Sequence, residues 1–175
     1  EHIHQASLKL LSETGLDVLH DDARALMKKA GAEVREGVVR VRFDPGLIKE
    51  AIATVPSEFK LHARNPQHTV TMNGDNIVFN MMASAPNCSD TDRGRRAGNQ
   101  EDYRNFLRLA QMHNILHVTG GYPVEPVDIH PSVRHLDCIQ DYITLTDKAY
   151  CIYALGEDRV SDAIEMTRIA HGLTR

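Results

Sequence analysis

The stretch "TGGYPVEPVDIH" at residues 119–130 sets an aromatic ring and a carboxylate, Tyr122 and Glu125, among two glycines and two prolines. That pair suits a cationic ligand, because the ring face attracts positive charge and the carboxylate neutralises it. Pro123 and Pro126 fix the path of the chain around Glu125, so less entropy is lost when the two side chains engage a partner. Gly120 and Gly121 allow a sharp turn or a close approach of backbone to ligand. Tyr153, in the apolar run "AYCIYAL", is placed to add a second wall. The same residues equally make a stiff connector with Tyr122 packed and Glu125 solvated, and the chain chemistry leaves both readings open.

Other reactive residue types carry weaker patterns. His130, Arg134, His135 and Asp137 cluster just beyond the loop, after Asp128, but their spacing matches no recognised zinc pattern. Asp128 or Ser132 is therefore expected to cap a helix, with the histidines on its polar face. A metal hydrolase using His130 and His135 is the weakest reading, and no metal is assigned. Cys88, Cys138 and Cys151 are odd in number and lack a paired CxxC spacing, which suits reduced thiols in a cytoplasmic protein. "SDTDRGRR" offers arginines to an anion but is no phosphate-binding motif. His117, inside an apolar run, reads as a core histidine.

The elements that would position these residues follow from the hydrophobic period. In residues 1–75, Ile3, Ala6, Leu10 and Leu11 recur at helical spacing up to Gly15. Asp21 is expected to cap a second helix, and Asp44-Pro45 starts a third. Val39, Val41 and Phe43, then Phe59, Leu61 and Ala63, then Val70 and Met72, alternate as half-buried strands. Turns at Asn65-Pro66 and Asn73-Gly74 fold the later ones into antiparallel hairpins. This is an α+β N-terminal region with its own small sheet.

Residues 76–175 follow a different pattern. Apolar runs at 77–79, 115–118 and 149–155 are each followed by a loop and an amphipathic helix. Strand–loop–helix repeated three times is an α/β arrangement with a parallel sheet. In such sheets ligands meet the loops after the strand C-termini, here Met81–Asn99, Thr119–Ser132 and Leu155–Ser161. Three units leave bare edges, so the chain is expected to be a fragment of something larger.

Composition removes several function classes. The chain has 175 residues, 42% hydrophobic and 25% charged, enough for a real core and unlike a disordered segment. A net charge of −4, with basic residues scattered except at Arg93, Arg95 and Arg96, gives no nucleic-acid footprint. No apolar stretch is long enough to span a bilayer.

"ETGLDVLHDDARALMKKAGAEV", "VPSEFKLHARNP", "SDTDRGRRAGNQEDY" and "TGGYPVEPVDIH" together resemble, in order and spacing, the amino-terminal part of the trimethylamine:corrinoid methyltransferase family, bacterial members above all. The resemblance implies a partial (β/α)8 TIM-type barrel, about its first three βα units, behind the α+β region. It implies transfer of a methyl group from trimethylamine or a quaternary amine such as glycine betaine to the cobalt of a corrinoid (cobalamin). That cofactor is carried by a partner corrinoid protein and not bound directly by this chain. Under it Tyr122, Glu125 and Tyr153 become substrate-pocket candidates, inferred from loop position, and the protein is expected to be a cytoplasmic homo-oligomer. A chain limited to these units is expected to be inactive. The alternative is a non-catalytic binding module or sensor for a small cationic amine or betaine.

Overall fold

Short helices alternate with short strands along the whole chain, which divides into two units, Glu1–Ser57 and Glu58–Arg175. The computed structural model describes residues 1–152 and 155–174.

In the first unit, α1 (His2–Lys9) runs into a π-turn at Leu10–Thr14 and stops at Gly15. The sequence placed Asp21 at the cap of α2 (Asp21–Lys29), but the cap is His20, whose Nδ1 accepts the Ala23 N–H. Asp21 and Asp22 occupy the first turn instead, where negative charge faces the positive end of the helix. α3 (Pro45–Ala53) starts as its sequence signals: Asp44 accepts the Gly46 N–H at 2.7 Å and Pro45 needs no partner. Strands β1 (Leu16–Asp17), β2 (Glu33–Val34) and β3 (Arg40–Arg42) form an antiparallel sheet in the order β1-β3-β2, with Val41 buried at its centre.

The second unit opens on the expected hairpin, β4 (Phe59–Leu61) against β5 (Val70–Met72), in the register Phe59↔Met72. A second hairpin, β6 (Asn87–Asp90) against β7 (Gly94–Ala97), lies where the sequence suggested only a polar loop. Then come α4 (Gln100–Met112), β8 (Val118–Gly120), α5 (Arg134–Leu145), β9 (Ala149–Cys151) and α6 (Glu157–Ala170). Strands β8 and β9 pair in parallel, as two strands joined through a helix should.

The first expected strand is much reduced. Residues 77–79 carry no ladder, and a single parallel bridge joins Asn80 to Val118. The Met81 N–H donates to the Val118 carbonyl at 3.2 Å, so residues 80–81, β8 and β9 follow one another in sequence order. The second strand begins at Val118, three residues later than its apolar run. Lys148, 3% exposed, explains this: its Nζ donates to the carbonyls of Ala110, His113 and Leu116 at 2.6, 2.9 and 2.8 Å. It holds residues 113–116 as a turn closing the end of α4.

The hairpin β4–β5 packs Ala63 and Val70 against Val118 and Ala149 at the N-terminal ends of the parallel strands. Asp147 ties them together, accepting from Asn65 Nδ2, Gln111 Nε2 and His68 Nδ1 at 3.0, 2.8 and 2.7 Å. The second unit is thus a mixed α/β body braced at one strand end and open to loops at the other. Among the described residues, no helix is long and apolar enough to cross a membrane.

Candidate functional site

The loop 119–130 is anchored on both sides. Ser84 donates its N–H to the Tyr122 carbonyl at 2.7 Å, and Glu125 donates to Ala85 at 2.8 Å. Val127 donates to Gly98, also of the first loop, at 3.2 Å, and on the other flank Gly121 donates to Cys151 at 2.9 Å. Gly121 has φ +59, a conformation side chains other than glycine's rarely adopt. Ser84 has φ +65 without being glycine, so the first loop holds local strain where it meets the second.

Beneath the loop lies a cluster of tyrosines. Tyr122 meets Tyr103 edge-on with centroids 5.9 Å apart, Tyr103 meets Tyr142 in the same way, and Tyr142 stacks on Tyr150 at 5.5 Å. The Tyr142 hydroxyl donates to the Gly121 carbonyl and Tyr103 to that of Cys138. Burial raises all three phenols on Tyr103, Tyr122 and Tyr142 above their ordinary value, so these rings are neutral hydrogen-bonding supports. Val124 and Pro126 are fully buried beside them.

Above this floor is a cavity of about 230 Å³. All three loops at the strand C-termini contribute: Ser84 from the first, Tyr122, Glu125 and Pro131 from the second, and Leu155 and Arg159 from the third, with Arg134 at the start of α5. Tyr122 and Glu125 therefore line one cavity. Tyr122 is only 8% exposed. Glu125 does not stand free: Arg134 Nη1 donates to its Oε1, while Arg134 Nε and Nη2 both donate to the Ile129 carbonyl at 3.1 and 2.8 Å. Arg159 Nη2 donates to the Pro131 carbonyl at 3.1 Å. Tyr153 lies outside the described residues.

The remaining candidates are accounted for by packing. Asp128 does not cap α5; its Oδ1 accepts the Gln100 N–H at 2.9 Å and helps start α4. Ser132 does not cap α5 either, its hydroxyl pairing with His130 Nδ1 at 2.7 Å. His135, expected on a polar face, is 5% exposed, because the inward face of α5 is His135, Cys138, Ile139 and Tyr142. Its Nε2 meets Asp162 at 2.9 Å. Val133 is exposed at the helix start. His117 Nδ1 accepts the Phe79 N–H at 3.1 Å. Among the described residues, no three His, Cys, Asp or Glu side chains converge on a point that would hold a metal.

Cys88 is buried and its thiol donates to Asp102 Oδ2 at 3.3 Å. Burial pushes that thiol up, and the Asp102 carboxylate adds to it, so Cys88 is held protonated rather than activated. Arg93 and Arg96 of "SDTDRGRR" pair with Asp90 and Asp102. A larger cavity of about 560 Å³ lies at the opposite strand ends. Its chemistry-bearing groups are already engaged, Lys148 by three carbonyls and His68 by Asp147.

An α/β scaffold with a small charged cavity at the C-terminal ends of its parallel strands is the class that the geometry defines. Residues 1–175 match the family model described as Trimethylamine methyltransferase (MTTB), and the chain belongs to that family. It is 36% identical over 172 residues to the glycine betaine methyltransferase of Desulfitobacterium hafniense (strain Y51), covering 98% of this chain and 36% of that protein. It is 29% identical over 175 residues to the trimethylamine methyltransferase MttB of D. hafniense (strain DSM 10664 / DCB-2), covering 97% and 34%. With the L-carnitine:corrinoid methyltransferase of Eubacterium limosum it shares 26% over 125 residues, covering 71% and 25%. The chain spans about a third of the length of the first two relatives.

Proposed function

We propose that the full-length protein is a corrinoid-dependent methyltransferase that removes a methyl group from trimethylamine or a quaternary amine such as glycine betaine. The observation that carries this reading is the cavity at the strand C-termini, lined by Tyr122 and the Glu125 carboxylate, in a chain of the trimethylamine methyltransferase family. In this reading residues 76–175 begin a (β/α)8 barrel, and residues 1–75 are the α+β region before it. The apolar groove between Tyr150, Ile152, Ile164 and Leu173 receives the next unit.

A corrinoid carried by a separate cytoplasmic protein supplies a reduced, nucleophilic cobalt to accept the methyl group. This chain's own residues hold the donor. The Glu125 carboxylate offsets the positive charge of the nitrogen, the Tyr122 ring and Leu155 exclude water, and the anchored loop fixes the carbon to be transferred. When the N–CH3 bond breaks, its electron pair stays on nitrogen and the amine leaves neutral, so the carboxylate matters most for binding the donor.

The test is calorimetric titration of the full-length protein with trimethylamine and with glycine betaine, repeated with Glu125→Gln. Saturable binding that weakens about 10-fold on substitution is expected, the scale of one charge-assisted contact. Binding that ignores Glu125 would return the loop to a connector.

A further inference from the structure

The charges around the 230 Å³ cavity do not balance for a plain cation. Among the described residues its lining has one carboxylate, Glu125, and two guanidiniums, Arg134 and Arg159, which leaves them one positive charge in excess. A trimethylammonium group alone would enter against that excess. Arg134 is not the source of the imbalance, since its Nη1 is paired with Glu125, its Nε and Nη2 donate to the Ile129 carbonyl, and its side chain is only 15% exposed. Arg159 is different. Among the described residues its guanidinium makes one hydrogen bond, to the Pro131 carbonyl at 3.1 Å, through Nη2. It stands on the first turn of α6 and lines the same cavity as Tyr122 and Glu125.

We propose that Arg159 is the specificity-determining residue of this cavity, reading a carboxylate on the substrate while the Glu125 side holds its quaternary nitrogen. This rests on the proposed amine-binding role of the cavity and adds the chemical class of what binds: a small zwitterion with positive nitrogen and carboxylate a few bonds apart. The fork of an arginine matches a carboxylate through two parallel N–H donors, which a lysine cannot reproduce. A zwitterion also satisfies both signs of the lining at once, where trimethylamine satisfies one. The volume is below the range typical of drug-sized ligands, which agrees with a substrate of this size. Arg159 takes no part in breaking the N–CH3 bond; it sets which amine is held.

The experiment compares three probes on the full-length protein by calorimetry: glycine betaine, choline and tetramethylammonium, which share the quaternary nitrogen and differ in the anion. Wild type is expected to prefer glycine betaine by about 10-fold or more, the scale of a charged hydrogen-bonded contact. Arg159→Gln should erase that preference by weakening glycine betaine and leaving choline within about 3-fold, and Arg159→Lys should restore only part of it. Thermal melts of both variants check that the fold is intact; Arg159 is half-exposed on a helix surface, so little change is expected. Equal loss for all three probes, or no loss for any, would overturn the assignment of Arg159 while the amine pocket itself stands. Failure of wild type to bind any of the three would bring down the amine-binding reading and this proposal with it.

Discussion

At the scale of single residues, the firmest electrostatic feature is Asp102, buried at the start of α4. It accepts from the Cys88 thiol at 3.3 Å and pairs with Arg96, and Arg93 Nη2 reaches it at 3.3 Å. Burial is the largest influence on it and would raise its pKa. The thiol hydrogen bond and the Arg96 and Arg93 charges together outweigh that and hold it below the usual carboxylate range. Removing the carboxylate takes one of two acid partners from Arg96, which keeps Asp90 and, at 22% exposed, can recover part of its hydration. Asp102→Ala is therefore expected to lose about 2–4 kcal/mol, at or below the cost of breaking a fully buried pair, as read by urea denaturation. A loss under about half a kcal/mol would mean that the pair is only a surface contact. Sequence reasoning missed Asp102, because nothing in "GNQEDY" separates a buried aspartate from the solvated acid of any helix start. It missed Arg159 for a similar reason: "GEDR" reads as a charged turn until a cavity is found beside it.

At the scale of elements, the candidate site depends on how closely loop 119–130 lies against its neighbours. Gly98 shows this best: a Cβ there would overlap Val124 and come within 2.7 Å of the Glu125 carbonyl. Gly98→Ala must push the loop away, so it is expected to cost about 1–3 kcal/mol and to weaken ligand binding as Glu125 shifts. Gly74→Ala, with open space around it and no positive φ, is the control and should change stability little. Thermal melts and titrations of the two variants check both outcomes. The elements that the sequence made legible are those whose pattern is carried by apolar side chains. Phe59, Leu61, Val70 and Met72 alternate, and β4 and β5 form; Tyr103, Leu107 and Ala110 share a face, and α4 buries it. The hairpin β6–β7 was hidden because polar contacts fold it. Asp90 accepts the N–H groups of Asp92 and Arg93 at 3.1 and 2.7 Å, and the arginines that follow pair back to the acids. Residues 77–79 failed the other way, since an apolar run says that a segment can be buried and not that it finds a ladder partner. Strand ends at 118 and the cap role of Asp128 depend on contacts from Lys148 and Gln100, distant in sequence and invisible to any local period.

At the scale of the whole molecule, the depressed carboxylates set how the fold responds to acid. Asp90 is held to about 2, first by the Arg93 N–H, while hydrogen bonds to Gln111, Asn65 and His68 overcome burial to lower Asp147, and Asp102 is lowered as described. Unfolded, each would titrate near 3.8. The unfolded chain therefore binds more protons than the native one below about pH 4, and stability present above that pH drains away as it falls toward about pH 2. Denaturant melts across this range should show the decline, steepest below about pH 4, with a shallower acid limb in Asp102→Asn. A flat profile would mean that these contacts are not held in solution. The central claim is that the cavity over the tyrosine floor binds the methyl donor, and turnover tests it most directly. The measurement is demethylation of glycine betaine by the full-length protein supplied with reduced corrinoid, followed by dimethylglycine formation in wild type and Glu125→Gln. Dimethylglycine formed by wild type, with kcat/KM lowered about 10-fold or more in the variant, is the predicted result. Equal turnover by both proteins, or none by wild type with either glycine betaine or trimethylamine, would contradict it.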